Sequence, residues 1–358
     1  MMGKSIMWDY IAEEPEVLEK LLETDEVVRF AADVGKKLEA VYFVAHGSSY
    51  NASVAVSDFM AKYGGVRVYT YTPANFCYHE GSIAQEIRER VLVAAISQTG
   101  TSSGVIEAME SAKKQGLKTL GITAAGASPV GSGADYMLSL GCGPEDSNAK
   151  TKGYSATLVL LMRLALSLGR EKGIIDEAYE LEVLGELRGQ IAQFPSLTTK
   201  ICSWCERKHY GNQLKELYVL GYGMNFGTAM EGQLKLMETM CIPTMFNDIG
   251  EFSHGMHRAL NENSSVLLFR TYHPLKELTE ETFRYLQTVT KEVLMLDAAG
   301  DSPEEENRIL IPAWPLTQSL LLMTLAVQVL SVFAPEQIGE DPNRDAHNDF
   351  TEVVHTRV

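Results

Sequence analysis

The chain has 358 residues, of which 45% are hydrophobic and 22% charged, and carries a formal net charge of -16 at pH 7. That length favours two domains, and that composition suits a globular protein with a substantial core. So acidic a surface repels nucleic acid and anionic membranes, which argues against either as a partner, and an anionic ligand would need local positive ground at helix N-termini or a few placed lysines.

The first residues, Met1-Met2-Gly3-Lys4, lead into no apolar signal-like stretch and no cleavage site, so no secretory signal is expected. The longest apolar run, near Leu320 to Phe333, is interrupted by Thr324 and Gln328 and reads as a buried helix too short to span a bilayer. Five scattered cysteines suit reduced thiols and a cytoplasmic setting. Cys202-Ser203-Trp204-Cys205 has CxxC spacing, but without a second ligand pair or a strand-to-helix context it reads as two thiols one helical turn apart. No metal site and no cofactor are expected.

Residues 7–38 read as helical, with Pro15 placed early, where a helix start tolerates it. Val41 to Ala45 is a short apolar run ending in Gly47-Ser48-Ser49, with a helix from about Asn51: a buried parallel strand feeding a helix. Strands follow at Arg67–Thr70, Val91–Ile96 and Thr119–Thr123, with a helix at Ser103–Gln115 and a long closing helix at Thr151–Leu168. Such alternation predicts an α/β fold with a parallel sheet covered by helices. Residues 170–212 read as a helical connection, and the scheme then restarts. Leu217–Gly223 matches Val41–Gly47 at an offset of 176, and Ser265–Thr271 matches Val91–Ser97 at 174. Glu292–Asp297 takes the place of the Thr119 strand, and Ser319–Phe333 is a second closing helix. The near-constant offset predicts an internal duplication. Expected boundaries are a helical segment at 1–38, a first domain with its helical connection at 39–195, a second domain at 196–335, and a C-terminal tail at 336–358.

In open α/β sheets ligands bind beyond the C-terminal strand ends. Two such ends in the first half carry hydroxyl clusters: Ser48 and Ser49 on one, and Ser97, Gln98, Thr99, Thr101, Ser102 and Ser103 around Gly100 on the other. Glycine lets the backbone approach an anion closely, and the following helix N-terminus favours negative charge. No GxxxxGK[ST] is present, so a sugar phosphate is favoured over a nucleotide. The plainer alternative is an N-cap cluster that only starts a helix, for which one hydroxyl would suffice. The second half has Phe269-Arg270-Thr271-Tyr272-His273-Pro274 at the equivalent place, so one half is expected to hold phosphate and the other to supply something else. Candidates for that role are Glu231, Lys235 and Glu238, spaced to share one helix face as an acid/base set. From spacing alone, a solvated ion pair between Glu231 and Lys235 is the favoured reading. His254 lies in the glycine-flanked segment Gly250–Gly255, read as a loop.

These segments resemble the double sugar-isomerase-domain (SIS) proteins, namely the isomerase half of glucosamine-6-phosphate synthase and its relatives, the fructosamine-6-phosphate deglycases. Met7 to Pro15 is similar to the family's M-x-x-E-I-x-E-Q-P, and His46-Gly47-Ser48-Ser49-Tyr50 to C-G-T-S-Y. Ser97–Gly100 is similar to S-Q-S-G, and Gly143-Pro144-Glu145 with Thr151-Lys152 to G-P-E and S-T-K. Glu231 to Glu238 is similar to E-G-A-L-K-L-K-E, and Gly250–Gly255 to G-E-L-K-H-G. The resemblance implies two tandem SIS domains, each a flavodoxin-like three-layer αβα sheet. It implies phosphosugar binding by Ser48, Ser49, Ser97, Gln98, Thr99, Ser102 and Lys150, proton transfer between C1 and C2 by Glu238, and steering of the sugar oxygens by Lys235. It also implies ring opening by His254 from a neighbouring subunit, hence a homodimer or dimer of dimers, with a small sugar phosphate as the other partner.

Three departures narrow the expectation. Nothing like the synthase's glutaminase domain precedes the first sugar-binding domain, so glutamine is not the expected nitrogen donor. Glu352 stands where the synthase's tail carries its imine-forming lysine, and Ala149-Lys150-Thr151 is closer to the deglycases' E-K-T. The preferred expectation is an enzyme, a fructosamine-6-phosphate deglycase. The alternatives are an amino-sugar-phosphate deaminase or ammonia-dependent isomerase, and a non-catalytic sugar-phosphate sensor.

Overall fold

The computed structural model describes residues 5–356. Helices α1 (Met7–Leu22) and α2 (Glu26–Val34) lead into β1 (Ala40–Ala45), α3 (Gly47–Gly64), β2 (Arg67–Tyr71), α4 (Pro73–Tyr78), β3 (Val91–Ile96), α5 (Ser103–Lys114), β4 (Lys118–Thr123), α6 (Pro129–Gly133), β5 (Tyr136–Ser139) and α7 (Lys152–Lys172). After α8 (Glu177–Ala192), α9 (Phe194–Lys208) and α10 (Tyr210–Gln213), the pattern repeats. It runs through β6 (Glu216–Gly221), α11 (Met224–Met240), β7 (Thr244–Asp248), β8 (Ser264–Thr271), α12 (Lys276–Leu286), β9 (Val293–Ala298), β10 (Arg308–Leu310), α13 (Leu320–Gln337) and α14 (Phe350–Val353).

The expected duplication is visible in the sheets. One five-stranded sheet runs β2-β1-β3-β4-β5, the other β10-β9-β8-β6-β7, which is the same order written from the opposite edge, and every strand pairing is parallel. This 2-1-3-4-5 arrangement is flavodoxin-like, and its switch point lies between the first and third strands. β1, β3, β8 and β9 are buried along their whole length, so they read as continuous apolar runs rather than alternating ones.

The chain forms two compact units. One holds the β1–β5 sheet with α2–α7, and includes the chain from Asp345 onward. On one face of its sheet, Tyr42, Val44, Val91 and Val93 pack with Ala108 and Ala112 of α5 and Phe76 of α4. The helices α3 and α7 pack together in the same unit. The other unit holds the β6–β10 sheet and α9–α13, and includes residues up to Pro15 and the segment Asp146–Thr151. Tyr218, Leu220, Val266, Leu268, Val293 and Met295 pack there with Phe283 and Leu286 of α12. The Asp146–Thr151 segment is tied in by side-chain bonds: Tyr10 Oη accepts from Asp146 N at 2.7 Å, Asn343 Oδ1 from Asn148 N at 3.1 Å, and Thr151 O from Gln328 Nε2 at 3.2 Å.

Two local expectations are corrected. α1 begins at Met7, so Pro15 lies inside the helix rather than at its start, where its missing N–H breaks one rung of the ladder. α3 begins at Gly47 rather than Asn51, because Gly47 takes the turn out of β1 at φ 55°. α13 is long and apolar enough to cross a membrane by length and composition alone, yet it is 83% buried within the protein. It serves as a core helix against α11 and α9.

Candidate active site

The hydroxyl cluster forms the loop from β3 to α5. Ser97 closes the strand and is buried, its N–H bound to Ile122 O at 3.0 Å. The loop then turns on itself: Gly100 N donates to Ser97 O at 3.0 Å and lies 3.1 Å from Ser97 Oγ. Thr99 and Thr101 hydroxyls lie 3.0 Å apart, and Ser102 is the N-cap residue of α5 without a side-chain cap bond. Ser102 Oγ is therefore not spent on starting the helix, which counts against the N-cap alternative. Gly100 is required twice. Its φ is +70°, and a Cβ there would lie 1.8 Å from Ser128 Oγ. We expect Gly100→Ala to cost about 2 kcal/mol of stability, read by thermal unfolding, and to weaken glucose 6-phosphate binding with it.

Gln98 is held in place from behind. Its Nε2 donates to Glu145 Oε1 at 2.8 Å, and the same oxygen accepts from Gly153 N at 2.6 Å in the first turn of α7. A Cβ at Gly153 would fall 2.3 Å from Gln98 Cδ, so the glycine makes room for the glutamine side chain. Ser48 and Ser49, both half-buried, occupy the first turn of α3 behind β1, the strand paired with β3. Two contacts here were not foreseen. His46 Nδ1 lies 3.5 Å from Ser102 Oγ. The C-terminal residues reach the head of α5, where Thr356 O accepts from Ser103 N at 3.3 Å and His355 O accepts from Ser103 Oγ at 3.5 Å. Glu352 is exposed on α14, in the same unit.

At the corresponding strand end of the second sheet the cation is already paired. Arg270, in register with Asp297 of β9, is buried and gives its Nη1 to Asp301 at 2.7 Å, Ser302 at 2.7 Å and Asp297 at 3.2 Å. Its guanidinium is neutralised internally, and Asp297 is shared further with Arg308.

The acid/base set lies on α11, in the β6–β10 unit. Glu231 and Lys235 form an ion pair at 3.0 Å with side-chain exposures of 1% and 0%. The solvated ion pair expected from spacing is overturned: the pair is buried, because that face of α11 packs inward, and burial of either charge demands the other. Glu238, one turn on, is half-buried. Burial pushes its carboxyl up to about 7, Glu231 adds to the rise, and Lys235 and Lys150 oppose it. A carboxyl poised near neutrality suits proton transfer in either direction.

Lys150, whose Nζ donates to Ser147 O at 2.9 Å, belongs to the same unit as Glu238. Removing its charge as Lys150→Met should move the Glu238 titration midpoint upward, measured by carboxyl NMR. Because the folded-state value of Glu238 is raised, the group's contribution to stability is full below its unfolded value of 4.5 and is lost as pH rises through about 7.

His254 is exposed at the end of a short 3-10 turn, Glu251–His254, rather than in an irregular loop. Asp248 at the end of β7 holds that turn, accepting from Gly250 N at 2.8 Å and Glu251 N at 3.2 Å, and buried Phe252 anchors it. Among the described residues His254 makes no hydrogen bond or ion pair with Glu238 or Lys235. Cys202 and Cys205 lie one turn apart on α9, with Cys205 buried and its thiol pushed well above its ordinary range by that burial.

The SIS domain pattern matches residues 36–167 and 212–332, one span for each sheet and together most of the chain. The chain belongs to the SIS domain family. It is 28% identical over 314 residues to the glutamine–fructose-6-phosphate aminotransferase [isomerizing] of Caldanaerobacter subterraneus subsp. tengcongensis, a match covering 86% of this chain and 51% of that protein. The chain therefore spans about half the length of the curated relative it matches. A candidate phosphosugar isomerase from Clostridium difficile 630 superposes with a TM-score of 0.89 at 26% identity, covering 98% of both chains. The C-terminal domain of glucosamine-fructose-6-phosphate aminotransferase from Francisella tularensis shares the fold, with a TM-score of 0.87 at 20% identity over 96% of this chain and 99% of that one. This SIS chain is thus homologous to the isomerase domain of the aminotransferases and related to phosphosugar isomerases. Its two SIS domains share one topology and differ in chemistry at their strand ends.

Proposed function

We propose that this SIS protein is a phosphosugar isomerase that works as a deglycase on an amino-linked ketose 6-phosphate. In this reading Ser49, Ser97, Gln98, Thr99 and Ser102 hold the 6-phosphate, Ser48 and Lys150 complete the phosphosugar-binding set, and Lys235 steers the sugar oxygens. Glu238 removes a proton from C1 of the open-chain ketoamine and the proton is returned at C2, giving an aldosylamine. Water then releases the amine and leaves the aldose 6-phosphate. The observation that carries the reading is the Glu238 carboxyl held at about 7 beside two lysines. Such a group can act as base and then as acid at neutral pH without a cofactor. Deglycation is favoured over glucosamine synthesis by Glu352, a residue that cannot form an imine and that, by the resemblance, takes the place of the synthase's imine-forming lysine.

The reading includes a homodimer or dimer of dimers in which His254 serves a neighbouring copy and assists ring opening, a role supported by its exposure on an anchored turn. It also includes a cytoplasmic setting, which the free cysteines favour. The test is a panel of fructose-amino-acid 6-phosphates and glucosamine 6-phosphate, following amine and ammonia release. Amine release from the ketoamines supports the deglycase. Ammonia release from glucosamine 6-phosphate alone would make the protein a deaminase, and tight binding without turnover of any compound would make it a sensor.

A further inference from the structure

His46 stands at the end of β1 in extended backbone, φ -122° and ψ 157°, as the N-cap residue of α3 without a side-chain cap bond. β1 and β3 are the pair at which strand order reverses, so the residue after β1 borders the crevice where ligands of this topology bind. Its Nδ1 is 3.5 Å from Ser102 Oγ, which makes it the only described side chain off the β3–α5 loop with a side-chain hydrogen bond to one of the hydroxyls at Ser97, Thr99, Thr101 and Ser102.

The ring's place is built into the packing around it. A Cβ at Gly104 in the first turn of α5 would lie 3.0 Å from His46 Cε1 and 3.2 Å from Pro73 Cβ at the head of α4. A side chain at 104 would push the imidazole or Pro73 aside by a few tenths of an ångström. The residue is nevertheless exposed to solvent, so a ligand can reach it.

Among the described residues no ion pair engages the imidazole. α4 offers Pro73, the head of α5 offers Ser102 and Gly104, the carboxylate of Glu107 on the next turn bonds with Tyr78 Oη at 2.6 Å, and the backbone of His355 and Thr356 bonds with Ser103. Partial burial lowers the pKa of the ring, with no charge opposing it, so the free ring is neutral at pH 7. The motif this segment resembles, C-G-T-S-Y, has cysteine at this place, which has no comparable cationic form.

We propose that His46 is a ligand of the substrate's phosphate, protonated on binding and donating to a phosphomonoester dianion held by the adjoining cradle. This rests on the reading of Ser97 to Ser102 as a phosphate cradle. A phosphomonoester has its second pKa near 6, so at pH 7 to 8 both free partners are mostly deprotonated and binding takes up a proton. Affinity then falls as pH rises above 7, towards tenfold per unit, until the bound imidazolium itself titrates.

The experiment is calorimetric titration of the full chain with glucose 6-phosphate between pH 6.5 and 8.5, in buffers of different ionisation enthalpy, for wild type, His46→Asn, His46→Gln and Ser97→Ala. Expected for wild type is net uptake approaching one proton at pH 7.5, with affinity falling as pH rises. Both His46 variants should lose that uptake and bind roughly tenfold more weakly at pH 6.5, the scale of a charge-assisted hydrogen bond. Wild-type affinity and proton uptake in either folded His46 variant would overturn the proposal and leave the cradle standing. Unchanged affinity in Ser97→Ala would overturn the cradle itself.

Discussion

Glu238→Gln is expected to lower turnover by roughly 10²- to 10⁴-fold, the range for loss of a positioned acid/base group, while glucose 6-phosphate still binds within a few-fold of wild type. The amide keeps the shape and can neither take nor return a proton. The residues proposed to hold the phosphate belong to the other compact unit. Stability should move the opposite way at high pH. The raised carboxyl of Glu238 is charged above about 7 in a place that disfavours charge, so the variant is expected to melt higher than wild type at pH 8.5, with a much smaller difference at pH 5. Wild-type turnover in the variant would remove Glu238 from the reaction. Equal melting at both pH values would show that its burial costs nothing.

The largest loss of stability is expected at Lys235. Its ammonium is fully buried 3.0 Å from Glu231, and Lys235→Met removes the charge that offsets the buried carboxylate. Breaking such a pair from one side costs about 3–5 kcal/mol, whereas replacing both partners with apolar side chains is often nearly neutral. Lys235→Met should therefore unfold at much lower urea than wild type, and Glu231→Leu/Lys235→Met should recover most of the loss. Because Lys235 also pulls the Glu238 carboxyl down, the single variant's pH-rate profile should shift to higher pH. If the single and double variants are equally destabilised, the site depends on packing rather than on charge compensation.

The contrast between what was legible in the sequence and what was not follows burial. β1, β3, β8 and β9 lie inside their sheets, buried end to end, and their apolar runs made the duplication readable. β5, β7 and β10 escaped notice, and all three are edge strands. β7 reads Thr-Met-Phe-Asn-Asp and is mostly half-buried, so it carries neither a continuous apolar run nor clean alternation. Pro15 misled because tertiary packing carries α1 through a residue that local propensity would put at a helix start.

At the site, composition and spacing found the hydroxyl loop and the face shared by Glu231, Lys235 and Glu238. They could not separate a solvated pair from a buried one, since i,i+4 spacing is common to both and burial depends on what α11 packs against. Glu145 and His46 were quoted in motifs without a role of their own. A histidine directly before the glycine that ends a buried strand was the available signal for His46, while the bond from Gln98 to Glu145 joins residues 47 positions apart and has no local signature. Arg270 illustrates the converse: a cation at a strand end invites an anion-binding reading, and the fold spends it on Asp297 and Asp301.

The central claim is that amine release proceeds by proton transfer from C1 to C2. It is tested most directly by turning over a fructose-amino-acid 6-phosphate that carries two deuteriums at C1. The account predicts a slowed kcat/KM and an aldose 6-phosphate with a single deuterium at C1, the other delivered to C2 or lost to water. Release of the amine with a ketose 6-phosphate that keeps both deuteriums at C1, and no isotope effect, would contradict it.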